Sequence, residues 1–299
     1  MDKIRHYIAS FRLRTLPLSL SGILLGSLLA LSNGYFQTLP FILAVTTTLC
    51  LQILSNLANE WGDLQKGTDN NERLGPIRSI QSGALPLKEF KRTIIVFICL
   101  SAISGTALVY TAFSGLFTRD SLLMLLLGAA SIIAAIKYTV GKGAYGYHGL
   151  GDLFVFLFFG LLSVTGSWFL MTRQITAALF LPAAAIGFLS MGVLNLNNMR
   201  DIENDTKCGK HTIPVLIGIT RAKIYHYTLV CSAFVCMTIY ASQYSRTCYG
   251  FIFLFTLPLF VIHLGKVCRN QGQMLDSQLK TLSLSTLVFA ILSGLGAQF

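Results

Sequence analysis

The sequence predicts an all-α polytopic membrane protein: about nine transmembrane helices around a central cavity, arranged as two four-helix pseudo-repeats plus one helix. Three observations carry that expectation. Only 12% of the 299 residues are charged while 54% are apolar, against roughly 25% charged in a water-soluble domain. The mean hydropathy is +0.65. The apolar residues also fall in long uncharged runs, which excludes a β-barrel, whose strands alternate over about ten residues. The chain reads as one transmembrane domain, 1–299.

A hydrocarbon core of about 30 Å takes roughly 20 apolar helical residues per crossing. Nine runs meet that demand, with cores near residues 16–31, 39–57, 94–113, 122–140, 150–171, 175–196, 224–240, 249–267 and 279–295. The first follows a basic amphipathic segment, "MDKIRHYIASFRLR", suited to lie on an anionic leaflet. It reads as a span and not a cleaved leader, because no small-x-small site follows it. The second carries Gln52, Ser55 and Asn56 and leads into an acid-rich loop, 58–92. Spans three and four close through a short segment around Arg119, and the fourth leads to a Gly- and Tyr-rich loop. Span five opens at Asp152 and is rich in Phe. Span six carries Ser190, Asn195 and Asn197 and leads into a second acid-rich loop, 197–223. Polar side chains inside such spans are expensive in lipid and are expected to face a cavity. The seven Cys form no C-x-x-C pair and read as small buried hydrophobes. The five His show no shared metal-binding spacing.

Nine spans put the termini on opposite sides, and the 23 cations divide unevenly between those sides. Three, Arg119, Arg173 and Arg246, lie on one side and the other 20 lie opposite. The 20-cation side is expected to be cytoplasmic, with the N-terminus. The net charge of +11 is thereby a matter of topology, and no nucleic-acid partner is expected.

The 12 acids cluster, with six in two short stretches. Glu60, Asp63 and Asp69 lie in "NLANEWGDLQKGTDNN" (56–71), and Asp201, Glu203 and Asp205 in "NLNNMRDIENDTKCGKHT" (195–212). Both stretches face the cytoplasmic side. A helix continuing from the second span is expected to present Asn59, Glu60 and Asp63 on one face, and Asn197, Asp201 and Asp205 repeat the four-residue step. Carboxylates gathered there repel one another, and a divalent cation relieves this. Carboxylate and amide oxygens with open positions suit Mg²⁺, which keeps waters and shares its shell with phosphate. Lys66, Arg73, Arg78, Lys142, Arg200, Lys207 and Lys210 share that side. Two acidic clusters, Mg²⁺ and a ring of cations suit a diphosphate.

At these residues the chain resembles the UbiA superfamily of intramembrane aromatic prenyltransferases. "NEWGDLQKGTD" resembles its N-D-x-x-D signature with a further Asp, at Asn59, Glu60, Asp63 and Asp69, and Asp201 and Asp205 fit its D-x-x-x-D. Glu60 departs from the usual Asp. The blocks "FRLRTLPLSLSGILLG", "RLGPIRSIQSGAL", "KYTVGKGAYGYHGLGDLFVFLFFG" and "NLNNMRDIENDTKCGKHT" are similar to the branch that prenylates 1,4-dihydroxy-2-naphthoate for menaquinone synthesis. The resemblance implies a bacterial inner-membrane enzyme with a cavity open to the cytoplasm and laterally to lipid. It implies Mg²⁺ held by Asn59, Asp63, Asp201 and Asp205, assisted by Glu60 and Asp69. Lys66, Arg73, Arg78, Lys142, Lys210 and Arg14 would bind a polyprenyl diphosphate. The aromatic acceptor, attacked at its carboxylated carbon, would lose carbon dioxide to give a demethylmenaquinone. Tyr138, with Tyr145 and Tyr147, would shield the allylic cation, Lys142 would act beside Tyr138, and Asp152 would orient or deprotonate the acceptor. Other acceptors on the same scaffold (4-hydroxybenzoate, homogentisate, haem) fit the same residues. A transporter is the rival from another class, since intramembrane acids also mark ion pathways.

Overall fold

The computed structural model describes residues 2–70, 72–245 and 247–299; Arg246, counted above on the less basic side, lies outside the described residues. Among the described residues every regular element is helical, and nine helices are long and apolar enough to cross a membrane, one for each run in the sequence.

Helix α1 (Asp2–Phe11) is the amphipathic start. The chain breaks at Arg12, whose φ of 50° is in the left-handed region, uncommon for a side chain with a Cβ. It then turns through Leu13–Thr15 into α2 (Leu16–Ser32). Pro17 stands in the first turn of α2, where a missing N–H costs no helical bond. Helix α3 (Thr38–Gln65) is 28 residues long, so its last two turns carry the first acidic motif beyond the apolar run. Helices α4 (Leu87–Phe113) and α5 (Arg119–Lys137) complete the first half. The fifth crossing joins α6 (Gly151–Val155), a π-wound stretch (Phe156–Leu162) and α7 (Ser163–Thr172). Then come α8 (Phe180–Arg200), the short α9 (Ile202–Lys207) and α10 (Ile213–Tyr244). A tighter stretch, Cys248–Thr256, leads into α11 (Leu257–Arg269), and α12 (Asp276–Gly296) closes the bundle.

The two acid-bearing segments stop in the same way, which is the local sign of the pseudo-repeat. Gly67, four residues past Asp63, and Gly209, four past Asp205, have φ of 73° and 67°. The following N–H then closes on the carbonyl of the acid: Thr68 to Asp63 at 3.0 Å and Lys210 to Asp205 at 2.9 Å. This left-handed helix stop suits glycine, which has no Cβ to clash. Packing repeats the pattern, with α3 against α4 and α8 against α10, while α2 packs against α7 and α12.

The core is lopsided. The crossings built on α2, α8 and α12 are each 56% buried, against 11% for α5, so α5 is an outer wall facing lipid. The dense side holds Phe234, Phe253, Phe260 and Phe289, with Phe234 centroids 5.1 and 5.2 Å from those of Phe260 and Phe289. It also holds a buried polar chain. His226 Nε2 lies 2.9 Å from His263 Nε2, and His263 Nδ1 lies 3.1 Å from Gln278 Oε1. A carbonyl oxygen only accepts, so His263 donates through Nδ1 and receives the His226 Nε2 proton. No sequence spacing marks this link between α10, α11 and α12. The cysteines correct an expectation: all seven are free, and Cys99, Cys231, Cys248 and Cys268 are exposed where buried residues were expected.

The π-wound stretch lies backbone to backbone on α8. A Cβ at Gly160 would stand 2.6 Å from Gly187 Cα and 2.7 Å from Ala183 O, so the contact exists only because both positions lack side chains. Gly160→Val should therefore destabilise the protein by about 1–3 kcal/mol through overpacking. Gly265→Val, where an added Cβ meets nothing within 4 Å, should leave the melting temperature in detergent nearly unchanged. Equal melting temperatures for the two variants would refute this packing account.

Candidate active site

The two helix ends meet at one mouth of a cavity of about 490 Å³. From α3 it is lined by Gln52, Ser55, Asn56, Asn59 and Asp63, a stripe at helical spacing; from the α8–α9 corner come Asn197, Asp201, Asn204 and Asp205. Arg12, Arg14, Arg73, Arg78 and Lys210 line the same end. The opposite end is apolar, with Ile23, Leu108, Val109, Met124, Leu125 and Leu170. Asp63 and Ala44, both lining and 19 positions apart on α3, span about 28 Å at the helical rise. The cavity is therefore a polar mouth on an apolar shaft as deep as a bilayer core. Gly128 and Ala129 of α5 line it and are themselves exposed, so the shaft is thinly walled towards lipid.

Several hydrogen bonds clasp the two halves at the mouth. Asn204 Nδ2 donates to Thr68 O at 2.8 Å. Tyr147 OH donates to Asp63 Oδ1 at 2.8 Å and also contacts Thr68 Oγ1, and His211 N donates to Tyr147 O at 3.0 Å. The ring of Tyr147 lies 4.0 Å below Lys66 Nζ and 5.4 Å from Lys210 Nζ. Burial and the Asp63 charge push the Tyr147 hydroxyl upward, so it stays protonated and donates. On the other side, Asn56 Nδ2 donates to Phe11 O at 2.9 Å and to Thr15 Oγ1 at 3.1 Å, and Gln52 Nε2 to Thr15 Oγ1 at 3.2 Å. These amides hold the α1–α2 junction, and with it Arg12 and Arg14, over the mouth.

Charge at the mouth is shared unevenly. Burial disfavours the Lys210 cation, but Asp63, Asp205 and Asp201 around it outweigh that and raise its pKa. Asp205, 3.6 Å from Lys210, is pushed up to about 6 by burial, with Lys210 pulling down and Asp201 and Asp63 adding to the rise. Its Oδ2 is buried without a hydrogen-bond partner among the described residues. Against the cost of burial, hydrogen bonds from Arg200 hold Asp201 below the usual carboxylate range.

Asn59, Asp63, Asp201, Asp205, Lys210, Arg14, Arg73, Arg78 and Tyr138 are brought together as expected, and Lys66 sits just outside on Tyr147. Glu60, Asp69, Lys142 and Asp152 are turned away from the cavity, and Tyr147, expected to shield the cation, lies outside its lining with its hydroxyl on Asp63. Glu60 is turned away from the Asn59–Asp63 stripe: it is buried at 1% exposure and its Oε1 accepts from Ile80 N at 3.1 Å. One residue along a helix is about 100° of rotation, and that step points Glu60 at the 79–85 loop. Asp69 is taken by Arg73 Nε at 3.0 Å and Arg78 Nε at 3.3 Å, so it positions those arginines instead of facing the mouth. Lys142 is exposed on its loop away from the lining. Asp152 is buried outside the lining, and its Oδ1 accepts from Tyr225 OH at 3.0 Å. Asn195 likewise leaves the cavity, donating to Ala222 O at 3.0 Å.

An aromatic wall stands between mouth and shaft. Tyr145 stacks on Phe154 at 3.9 Å, Phe154 on Phe158 at 6.1 Å, and Tyr138 meets Tyr145 edge-on at 5.4 Å. All four rings line the cavity. The residues missed by sequence reasoning are Arg200 as a structural fork, Asp276, Tyr225 and Arg12. Asp276 and Tyr225 have partners distant in sequence, Arg200 joins its neighbour Asp201 to the distant Asp276, and nothing in local spacing marks these roles.

The sequence pattern of the UbiA prenyltransferase family matches residues 19–290. The 1,4-dihydroxy-2-naphthoate octaprenyltransferase of Escherichia coli is 41% identical over 97% of this chain and 96% of its own length. That of Haemophilus influenzae is 40% identical over 99% and 96%. The apo structure of a UbiA homolog from Aeropyrum pernix shares the fold at a TM-score of 0.70 and 18% identity, covering 95% and 97% of the two chains. A UbiA homolog from Archaeoglobus fulgidus bound to GPP and Mg²⁺ does so at 0.62 and 18%, covering 97% and 99%.

The Asp69 arrangement makes a stability prediction. Asp69→Asn leaves two buried guanidinium groups without their shared carboxylate, a loss of about 3 kcal/mol or more. The loop should then be cut by trypsin at Arg73 and Arg78 in detergent under conditions where the parent resists; equal resistance would contradict the assigned pairing.

Proposed function

The chain belongs to the UbiA prenyltransferase family and is a prenyltransferase; from that premise we propose that it transfers a polyprenyl group from polyprenyl diphosphate to 1,4-dihydroxy-2-naphthoate. The observation that carries the reading is the shape and polarity of one cavity. Two oxygen-rich helix ends share a charged mouth, and a bilayer-deep apolar shaft continues from it. A long-chain allylic diphosphate has that same division of polarity. The relatives' names supply the acceptor, and the acceptor would lie against the aromatic wall of the cavity.

The donor set fits Mg²⁺. Asn59 and Asp63 from α3 and Asp201 and Asp205 from the α8–α9 corner would hold it. Among the described residues no three His, Cys, Asp or Glu side chains are grouped so as to hold a metal ion by themselves, so the Asn59 amide, waters and substrate oxygens would have to complete the shell. An open set is what a hard cation needs when it keeps waters and binds substrate phosphate. The buried Asp205 Oδ2, with no hydrogen-bond partner among the described residues, is a free ligand atom. When bound, Mg²⁺ neutralises the diphosphate and makes it a better leaving group. Glu60 and Asp69 take no part in the ligand set: one anchors the 79–85 loop and the other the two arginines.

The remaining work falls to side chains. Arg73, Arg78 and Lys210 neutralise the departing diphosphate, an interaction that strengthens as its charge grows and so favours the transition state. As the carbon–oxygen bond breaks, the electron pair leaves with diphosphate and the allylic carbon becomes electrophilic. Tyr138, Tyr145, Phe154 and Phe158 present π faces that exclude water and stabilise this cation. The ring carbon bearing the carboxylate attacks, the carbon–carboxylate bond breaks, and its electrons restore aromaticity as carbon dioxide leaves. The product is the hydroquinone of a demethylmenaquinone. Because carbon dioxide leaves in place of a ring proton, no base is needed at the attacked carbon, in keeping with Asp152 being bound to Tyr225 away from the cavity. The tail would lie along the shaft and emerge to lipid beside α5. The excess of Lys and Arg on the mouth side supports a cytoplasmic N-terminus and active site, in the inner membrane of a bacterium.

Asp63→Ala and Asp201→Ala should each lower Mg²⁺-dependent prenyl transfer by about 10³-fold or more; Asp63→Ala should melt close to the parent in detergent, whereas Asp201→Ala, which takes a carboxylate from the buried Arg200, should melt lower. Membranes supplied with polyprenyl diphosphate, Mg²⁺ and one acceptor at a time should prenylate dihydroxynaphthoate. Product from 4-hydroxybenzoate or homogentisate alone would overturn the acceptor, and full activity of both variants would overturn the site.

A further inference from the structure

Asp276 is the last acid in the chain and opens α12, far in sequence from either acidic motif. Its Oδ2 accepts from Arg14 Nη1 at 2.7 Å, and its Oδ1 from Arg200 Nη1. Arg200 is 1% exposed. Its remaining donors reach Asp201, Nε to Oδ1 at 3.1 Å and Nη2 to Oδ2 at 2.5 Å, and Nη2 also reaches Asn197 Oδ1 at 2.9 Å. Arg14, Asn197 and Asp201 line the cavity, whereas Arg200 and Asp276 stand behind them. Arg200 cannot swing aside easily. A Cβ on Gly75 would lie 2.7 Å from its Nη2 and 2.8 Å from that of Arg73, so the loop backbone is seated on both guanidinium groups.

A buried guanidinium needs a counter-charge, and removing one partner of such a pair leaves an uncompensated ion. Were Asp201 its only acid, Arg200 would neutralise that carboxylate fully and leave it a poor ligand. Asp276 brings a second carboxylate to the same cation. Arg200 is then balanced from behind, and Asp201 keeps negative charge for the cavity side while its geometry stays fixed by the fork. Resting on the metal-dependent reading above, we propose that Asp276 is a positioning residue that sets the affinity of the Asp201 side of the mouth for a divalent cation. Through its other oxygen it also holds Arg14 at the rim.

Outer-shell partners of metal ligands typically change affinity by about 10- to 100-fold. Titrating the purified full-length protein with Mn²⁺ in the presence of inorganic diphosphate, and counting bound metal by electron paramagnetic resonance, tests the inference without turnover. Asp276→Asn should raise half-saturating Mn²⁺ about tenfold. In prenyl transfer it should raise the Mg²⁺ needed for half-maximal rate by a similar factor, with kcat at saturating Mg²⁺ within about threefold of the parent. Asp276→Glu, which keeps the charge and moves it by one methylene, should fall between the two, and it serves alone where Asp276→Asn does not fold. A lowered melting temperature with unchanged Mn²⁺ binding would make Asp276 a structural residue only and overturn the inference. Asp201→Asn, run in parallel, separates the two levels: if it too binds Mn²⁺ like the parent, the metal reading of the site itself fails.

Discussion

Like charges held together beside an apolar shaft are the constraint on which this fold turns. Asp63, Asp201 and Asp205 share one mouth, and in a poorly solvated setting their mutual repulsion and desolvation cost several kcal/mol unless each is compensated. Each has a local answer of a different kind. Asp63 takes a hydrogen bond from Tyr147, Asp201 the fork of Arg200, and Asp205 the Lys210 ammonium. Arg200 and Lys210 flank the acids they hold, whereas Tyr147 reaches Asp63 from the loop before the fifth crossing. The matching glycine stops after Asp63 and Asp205 bring Thr68 and Lys210 back towards the acids that precede them. The Asn204–Thr68 bond then joins the two turns directly.

In the proposed reading the rest of the bundle serves a second requirement, that of admitting a ligand with an ionic head and a long apolar tail. The dense packing lies on the α2, α8 and α12 side, where the phenylalanine cluster and the His226–His263–Gln278 chain hold the helices together. The α4–α5 side is thin and faces lipid. Backbone-to-backbone contact at Gly160 and Gly187 brings the π-wound stretch against α8, and the same stretch carries Phe158 to the wall of the cavity. A π-helical turn adds a residue to the local winding and so rotates the helix beyond it. Here that turn lies next to the aromatic wall.

The architecture was legible in the sequence because hydropathy over 20 residues is a global signal that local context hardly alters. All nine crossings follow from it. The facing of Asn59, Asp63, Asp201 and Asp205 was legible too, since a four-residue step keeps side chains on one stripe. Glu60 shows where such reasoning stops. It is three residues from Asp63 and looks adjacent, but the cavity selects the stripe of Gln52, Asn56, Asn59 and Asp63. Glu60 instead shares the buried side of the helix with Leu57 and meets Ile80. Lys142 and Asp152 have fitting neighbours in sequence, yet a loop turn exposes one and Tyr225, 73 residues away, claims the other. Asp276 and Arg200 lie beyond any pattern, because their meaning comes from contacts 262 and 76 residues apart.

Charge balance gives an independent reason why a divalent cation belongs in this reading. In and around the mouth stand six carboxylates, Asp63, Asp201 and Asp205 in the lining and Glu60, Asp69 and Asp276 behind it, and seven cations, Arg12, Arg14, Arg73, Arg78, Arg200, Lys210 and, just outside on Tyr147, Lys66. The cluster is therefore close to neutral by itself, and most of its cations are already engaged: Arg73 and Arg78 with Asp69, Arg14 and Arg200 with Asp276, Lys210 with Asp205. A phosphate group carries roughly 1.5–2 negative charges near neutral pH, and a diphosphate brings more than one such group's burden into a site with little positive charge to spare. Arginine and lysine alone would have to abandon their carboxylates to meet it, leaving those buried and unpaired. In the proposed reading a bound Mg²⁺ would resolve the conflict by adding positive charge that carboxylates and phosphate can share. The acids whose crowding makes the mouth costly would then become ligands, and the arginines would stay where Asp69 and Asp276 hold them.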